Sequence, residues 1–293
     1  AAESSARSRF CRIRSVSNSL SVAIAVVRCC AMVHHMAFRS GNFSALSIGV
    51  RIGQLVQWAG DGIYPPTCLG CGTACLRPGA LCGKCWRSLQ LIERPWCDVL
   101  GTPFAYEVGE AVLSAEALAD PPPFAKARAA VVYSGVARRM VHRLKYQDRL
   151  DLAAIMAGWM VRAGDDVIGR SDVVVPVPLH RRRLFLRQSN QSAELARALA
   201  RYRGLPYLPC VMLRKRATRQ QVGLGARARA DNVRGAFRIA AGREKLIRNR
   251  AVLLVDDVYT TGATAKSATR ALLKAGAGQV NVLTFARVAP NGG

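Results

Sequence analysis

Acidic residues are the first shortage in this chain. Its 293 residues hold 18 Asp+Glu against 43 Lys+Arg, a formal charge of +25. Such an excess favours polyanionic partners: nucleic acid, phosphorylated small molecules or acidic lipid. The bland alternative is GC-rich coding, which raises Arg everywhere. Long apolar runs are missing too. The longest, "LSVAIAVV" at 20–27, falls far short of the ~20 residues needed to cross a bilayer, so no transmembrane segment is expected. Histidine is sparse, with four in the chain and none beside the paired cysteines, which argues against an open catalytic zinc site. The nucleotide-binding pattern G-x-x-x-x-G-K-[ST] is absent; "GATAKS" lacks the second glycine before its lysine.

What is present divides the chain. Residues 1–35 carry Arg7, Arg9, Arg12, Arg14 and Arg28 with many serines and only Glu3 as an acid. This composition suits a targeting segment. The preferred reading is sequence upstream of a start at Met32 or Met36, poorly ordered and outside the fold. Residues 43–60 place Leu46, Val50, Leu55 and Trp58 at helical spacing and predict an amphipathic helix. Residues 61–105, rich in Cys, Gly and Pro, predict a small module. A linker is expected over 106–127, with "ADPPPFA" extended. From 128 to 290, continuous apolar strands alternate with helical segments, the pattern of a parallel α/β sheet covered on both faces. Predicted strands are "RAAVVYS", "DVVVPVP", "PYLPCVML", "AVLLVDD" and "VNVLTFARV". Helices are expected at 136–146, at 151–163, in "QSAELARALARYRG" closed by Gly204, and in "TAKSATRALLKAG" closed by Gly276.

The ten cysteines are better read as metal ligands than as a secreted disulfide framework, and a cytoplasmic protein is expected. Cys68 and Cys71 form one C-x2-C knuckle, and Cys82 and Cys85 another. Together they can hold one structural Zn²⁺ by four thiolates, with Gly72 and Gly83 permitting tight turns. A module this short has no core, so the metal supplies its folding free energy. Redox dithiols or disulfides are the rivals. Cys75 reads as a spare thiol and Cys210 as core. Cys97 opens "CDVLG", a knuckle whose second cysteine has become Leu100, so a second zinc is not expected.

The most informative stretch is "VLLVDDVYTTGAT" at 252–264. Strand Val252–Val255 should end at the carboxyl edge of the sheet, where open α/β folds bind ligands. Asp256 and Asp257 emerge there. Thr260, Thr261, Gly262, Ala263 and Thr264 then turn into a helix N-terminus, whose N–H groups and hydroxyls suit a phosphate. The carboxylates suit the vicinal hydroxyls of a ribose. Rival readings are the magnesium-binding acid of an ATPase, a receiver-domain phosphoacceptor and a simple turn cap. The missing P-loop and the superfluous threonines weigh against the first two. The concerted fit of thirteen residues weighs against the third.

This stretch resembles the 5-phosphoribosyl-diphosphate (PRPP) signature of type I phosphoribosyltransferases. From about residue 62 to 288 the chain resembles the ComF family, named for competence protein F. The resemblance rests on the knuckles, "HRLKYQDRLDLA", "VVVPVPLHRRRLFLRQSNQSAELARALA", "LRKRATRQQVGLGARARADNVRGAF" and the signature. It implies a type I phosphoribosyltransferase-like parallel sheet flanked by helices, preceded by a small zinc-ribbon module. It also implies PRPP binding with Mg²⁺ and a link to DNA uptake. His180, Arg181, Arg182 and Arg183 would form a diphosphate loop. The segment with Thr218 and Gln221 would form a lid, and Lys145 matches a family lysine. Arg181 and Arg183, with Asp256 and Asp257, would carry the catalytic burden. The family's Arg-Gly-aromatic-Asn-Gln here reads Arg187, Gln188, Ser189, Asn190, Gln191. The implied reaction transfers phosphoribosyl to a nitrogen acceptor that the resemblance does not identify. The alternative is a non-catalytic factor that senses PRPP and binds single-stranded DNA or a transport partner. Arg181 to Arg250 would serve it, with 19 Lys+Arg and 3 acids.

Overall fold

Alternating apolar strands and helices become a four-stranded sheet, with β1 (Ala127–Val132), β2 (Val173–Pro176), β5 (Ala251–Tyr259) and β6 (Gln279–Arg287) in the order β1-β6-β5-β2. All three pairings are parallel. The computed structural model describes residues 66–106, 109, 111–146, 151–179, 189–215 and 235–289. The expected extension at 1–35 and helix at 43–60 lie outside them. A separate antiparallel pair joins β3 (Met212–Arg214) to β4 (Phe237–Ile239).

Period-two alternation sends neighbouring strand residues to opposite faces, and each face has its own core. On one face Val174, Leu253, Val255, Leu283 and Phe285 meet three helices: α3 (Gly135–Tyr146), α4 (Asp151–Ala163) and α6 (Gln191–Arg203). Met140, Leu144, Met156, Met160, Leu195 and Leu199 from these helices are all buried there. On the other face Val173, Val175, Val252, Leu254, Val280 and Val282 pack under α7 (Ala263–Lys274), through Ala268 and Leu272. Gly204 closes α6 in the left-handed conformation, φ +65°, as its sequence position predicts. A short helix, α5 (Asp165–Ile168), follows α4.

The cysteine-rich segment is part of this body. Thr67–Gly293 forms one compact unit. Cys68, Leu69 and Cys85 belong to the core on the α3 face, whereas Cys97 and Leu100 belong to the core on the α7 face. Residues 90–92 also run antiparallel along β1, with Ile92 N–H donating to Ala130 O at 3.0 Å and Val132 N–H to Gln90 O at 2.9 Å. That pairing covers a sheet edge that would otherwise expose its backbone.

Three sequence expectations change. The described stretch 111–127 is anchored to the sheet rather than being an extended linker. It contains the short helix α2 (Ala115–Ala119), and Phe124 is buried, with Ala125 N–H donating to Val280 O at 2.9 Å. "PYLPCVML" shrinks to a bridge at Tyr207 and the three residues of β3, and Cys210 is half-buried in the turn between. Finally, β5 does not stop at Val255 but continues through both aspartates to Tyr259, because β6 extends alongside it to pair Asp256 with Thr284 and Tyr259 with Arg287.

Candidate PRPP and zinc sites

The extended β5 delivers Asp256 and Asp257 to the carboxyl edge as paired, ordered backbone. Two helices meet them. Lys145, in the last turn of α3, forms an ion pair with Asp257. Ser192, at the start of α6, donates its hydroxyl to Asp256 Oδ1 at 2.8 Å, and the Asp257 N–H donates to the same oxygen at 2.9 Å. The dense surroundings of Asp256, and then the charge of Asp257, push its carboxyl up to about 7, against the pull of Ser192, the Asp257 N–H and Lys145. Burial alone would lower the Lys145 ammonium, but the attraction of Asp257 outweighs it and the net direction is upward. The edge therefore stores two crowded carboxylates against one cation, an arrangement ready to accept hydrogen bonds.

Beyond Tyr259 the chain turns through Gly262, at φ +71°, into α7. Gly262 is the N-cap of this helix and has no side chain with which to cap it. Asp256, Val258, Tyr259, Thr260, Gly262, Thr264, Ala265 and Thr284 line a concavity here. Thr261 Oγ1 is buried with no hydrogen-bond partner among the described residues. A buried hydroxyl left unpaired is costly unless a ligand completes it.

Gly262 is required twice over. Its φ lies in the left-handed region, and a Cβ there would sit 2.2 Å from Tyr259 Oη. Gly262→Ala is expected to cost about 3 kcal/mol, combining ~1–2 kcal/mol of backbone strain with displacement of a buried ring. A thermal melt should shift down by roughly 8 °C. An unchanged melt would mean the turn is looser than drawn.

The sequence-predicted residues thus separate into groups. Asp256, Asp257, Thr260, Thr261, Gly262, Ala263 and Thr264 come together with Lys145. His180, Arg181, Arg182, Arg183, Thr218 and Gln221 lie outside the described residues. The chain leading into and out of the 180–188 segment is tied, since Asn190 Nδ2 donates to Val177 O at 3.2 Å. Gln191 is buried and donates to Ser189 O at 3.3 Å. Ser192 and Thr284 were not anticipated. Ser192 directly follows the Asn-Gln pair, which was the available signal. Thr284 is visible only through the register of β6.

The metal centre is the second site. Cys68, Cys71, Cys82 and Cys85 bring their sulfur atoms within 4.8 Å of one another, and Cys71 Sγ to Cys82 Sγ is 3.8 Å. Four thiolates on a tetrahedral Zn²⁺ at about 2.3 Å stand about 3.8 Å apart, so the donor set fits structural zinc. Burial works against the Cys68 thiolate, but N–H donors led by Cys82 outweigh it and hold the thiol at about 6. Burial and the neighbouring thiols push Cys85 up to about 12. The four cannot all ionise without a cation among them. Gly72 turns at φ +82°, as expected, but Gly83 opens the helix α1 (Gly83–Arg87) instead of making a left-handed turn. Arg139 and Arg143 of α3 hold the module: Arg139 Nε donates to Gly70 O at 3.0 Å, and Arg143 Nη1 to Cys68 O at 3.1 Å.

Known proteins match these two parts. Residues 59–117 match the double zinc ribbon domain and residues 189–290 the phosphoribosyl transferase domain. DNA utilization protein YhgH of Salmonella typhimurium is 30% identical over 214 residues, 71% of this chain and 90% of that protein. Competence protein F of Haemophilus influenzae is 27% identical over 226 residues, 75% of this chain and 96% of that one. Among solved structures, a glutamine PRPP amidotransferase from B. subtilis in complex with ADP and GMP aligns at 22% identity and a TM-score of 0.32. That alignment covers 48% of this chain and only 29% of the other. No helix among the described residues is long and apolar enough to cross a membrane. With a zinc-ribbon module and a phosphoribosyltransferase domain in one chain, and a relative matched over nine-tenths of its length, this protein belongs to the ComF family.

Proposed function

We propose that the carboxyl edge of β5 binds PRPP and that the protein transfers its phosphoribosyl group to a nitrogen acceptor. The observation that carries this reading is one juxtaposition. Asp256 lines the same concavity as Thr260, Gly262 and Thr264 at the start of α7, with Asp257 next to it on β5. Carboxylates accept hydrogen bonds from the ribose hydroxyls, and the N–H groups of the α7 start receive the 5′-phosphate. Lys145 is held by Asp257 and would turn toward a second anion when ribose hydroxyls replace it. Arg181, Arg182 and Arg183, with His180, supply forked donors for the diphosphate. Thr218 and Gln221, which match the family's lid motif, are assigned to the diphosphate side of the ligand. The oxygen donors of this edge suit Mg²⁺, which when bound neutralises part of the diphosphate charge.

In the reaction the ribose C1–O bond to diphosphate breaks and a C1–N bond forms, through an oxocarbenium-like transition state. The nitrogen loses its proton to solvent and diphosphate leaves with the electron pair of the broken C1–O bond. Diphosphate is a good leaving group, so charge neutralisation by the arginines is the main requirement.

The test is calorimetry with PRPP, ribose 5-phosphate and diphosphate, each with Mg²⁺, followed by an acceptor screen that reads diphosphate release. PRPP should bind at least tenfold tighter than either fragment. No heat with PRPP at millimolar concentration would overturn the reading. The basic stretch from Arg181 to Arg250, and the DNA-linked names of two relatives, favour a second role in holding single-stranded DNA. Such binding should weaken steeply between low and high salt.

A further inference from the structure

A double ribbon would ordinarily hold two metal ions, and the second half of the module repeats the architecture of the first with different side chains. In the first half, Cys68 N–H donates to Thr73 O at 2.7 Å and Gly72 N–H to Cys68 O at 2.9 Å, and Thr67 bridges Ala74. In the second, Cys97 N–H donates to Thr102 O at 2.8 Å and Gly101 N–H to Cys97 O at 2.8 Å, and Trp96 bridges Pro103. Gly72 and Gly101 adopt matching left-handed turns, φ +82° and +65°.

Each first sulfur is met by an N–H of its own knuckle loop and by the N-cap N–H of the helix that follows. Cys68 Sγ accepts from Gly70 N–H at 3.4 Å and from Cys82 N–H at 3.2 Å, and Cys82 is the N-cap of α1. Cys97 Sγ accepts from Leu100 N–H at 3.4 Å and from Ser114 N–H at 3.2 Å, and Ser114 is the N-cap of α2. This correspondence sets Leu100 against Cys71, Ser114 against Cys82 and Ala117 against Cys85.

We infer that the second ribbon is a metal-free copy of the first, in which Leu100, Ser114 and Ala117 stand at three of the four ligand positions and protein contacts do the work of the ion. One thiol cannot hold zinc, which needs four donors in a closed structural site. Leu100 and Ala117 are buried apolar side chains that fill the ligand positions. The Ser114 hydroxyl is engaged as a cap, accepting from Ala117 N–H at 3.3 Å.

Ion pairs and charged hydrogen bonds fasten the copy to the sheet. Arg128, itself almost wholly buried, donates to Asp98 O at 2.9 Å and to Asp166 Oδ2 at 2.7 Å. Lys126 pairs with Asp98 at 2.7 Å. Arg287 donates to Leu100 O at 2.7 Å, directly at the knuckle. Each charge meets a carboxylate or carbonyl, which is what makes its burial tolerable.

The experiment is zinc content of the full-length protein, by atomic emission after zinc loading and desalting. One zinc per chain is expected for the wild type and for Cys97→Ala. Two are expected for Leu100→Cys/Ser114→Cys/Ala117→Cys, with a doubled thiolate charge-transfer band after cobalt substitution. A wild-type content of two overturns the inference, as does a fall below one in Cys97→Ala. So does a triple variant that keeps its native circular dichroism yet stays at one. If the triple variant does not fold, the wild type and Cys97→Ala decide the matter alone.

Discussion

Cys82→Ser with Cys85→Ser is expected to lose zinc and most of the stability of the protein. The ribbon around these residues has almost no apolar interior of its own: Cys68, Leu69 and Cys85 are buried only by joining the core under α3. Binding of structural zinc releases on the order of 10 kcal/mol in small zinc modules, because site and fold form together. Part of that is returned here by contacts to α3, so a loss of about 5 kcal/mol or more is expected. Domains of this size have a total margin of about 5–15 kcal/mol. The variant should therefore melt at least about 10 °C lower, at about 2–4 °C per kcal/mol, or be unfolded at 37 °C. Stoichiometric removal of zinc by a strong chelator should reproduce the effect and be reversed by adding zinc. A protein that loses its zinc and melts unchanged would refute the structural role.

The second large effect is opposite in sign for binding and for stability. Asp256→Asn with Asp257→Asn should weaken PRPP binding by a hundredfold or more, since two hydrogen bonds to charged acceptors are lost at ~1.5–3 kcal/mol each. Asp256→Asn alone should make the ligand-free protein more stable at pH 8. The Asp256 carboxyl, ordinarily near 3.8, is raised to about 7 by its buried setting and by Asp257. The folded state therefore holds a proton that the unfolded chain has released. Stability contributed by this group is present below about pH 4 and is lost as pH rises towards 7. At pH 8 the cost is about 2 kcal/mol, allowing for residual access of the carboxyl to solvent. The wild type should thus lose stability between pH 4 and 7 along a slope that Asp256→Asn flattens. Lys145 runs the other way. Its pair with Asp257 raises the ammonium above its ordinary 10.5, so that contribution persists across the neutral range and fades only at higher pH. A double variant that still binds PRPP normally would remove the ribose assignment. A flat wild-type stability profile would remove the electrostatic one.

Much of this protein is legible from local pattern. Parallel strands show as continuous Val and Leu runs, α6 shows through its apolar spacing and Gly204, and the C-x2-C pairs show as a metal set. The signature turn is local as well, since its glycine, threonines and helix start are consecutive. What local pattern misses is decided by partners far along the chain. β5 extends past Val255 because β6 is there to pair with it. Asp257 finds Lys145, and Asp256 finds Ser192, only after three helices have packed on one face. The second ribbon was half visible in Cys97 and Leu100. Its other half was hidden because Ser114 and Ala117 preserve the geometry of ligands while discarding their chemistry. The proline run after Asp120 reads as an extended tether by composition, yet Phe124 anchors it against Tyr259, with ring centroids 6.4 Å apart.

Helix α3 is gripped by the metal module near its end, where Arg143 reaches the carbonyls of Cys68 and Leu69 at 3.1 and 3.2 Å. Two residues later the same helix presents Lys145 to Asp257. The cysteine cluster and the paired aspartates are thus joined through a single turn of helix. A variant that loses its cysteine ligands is therefore expected to disturb the Lys145–Asp257 pair as well as the ribbon.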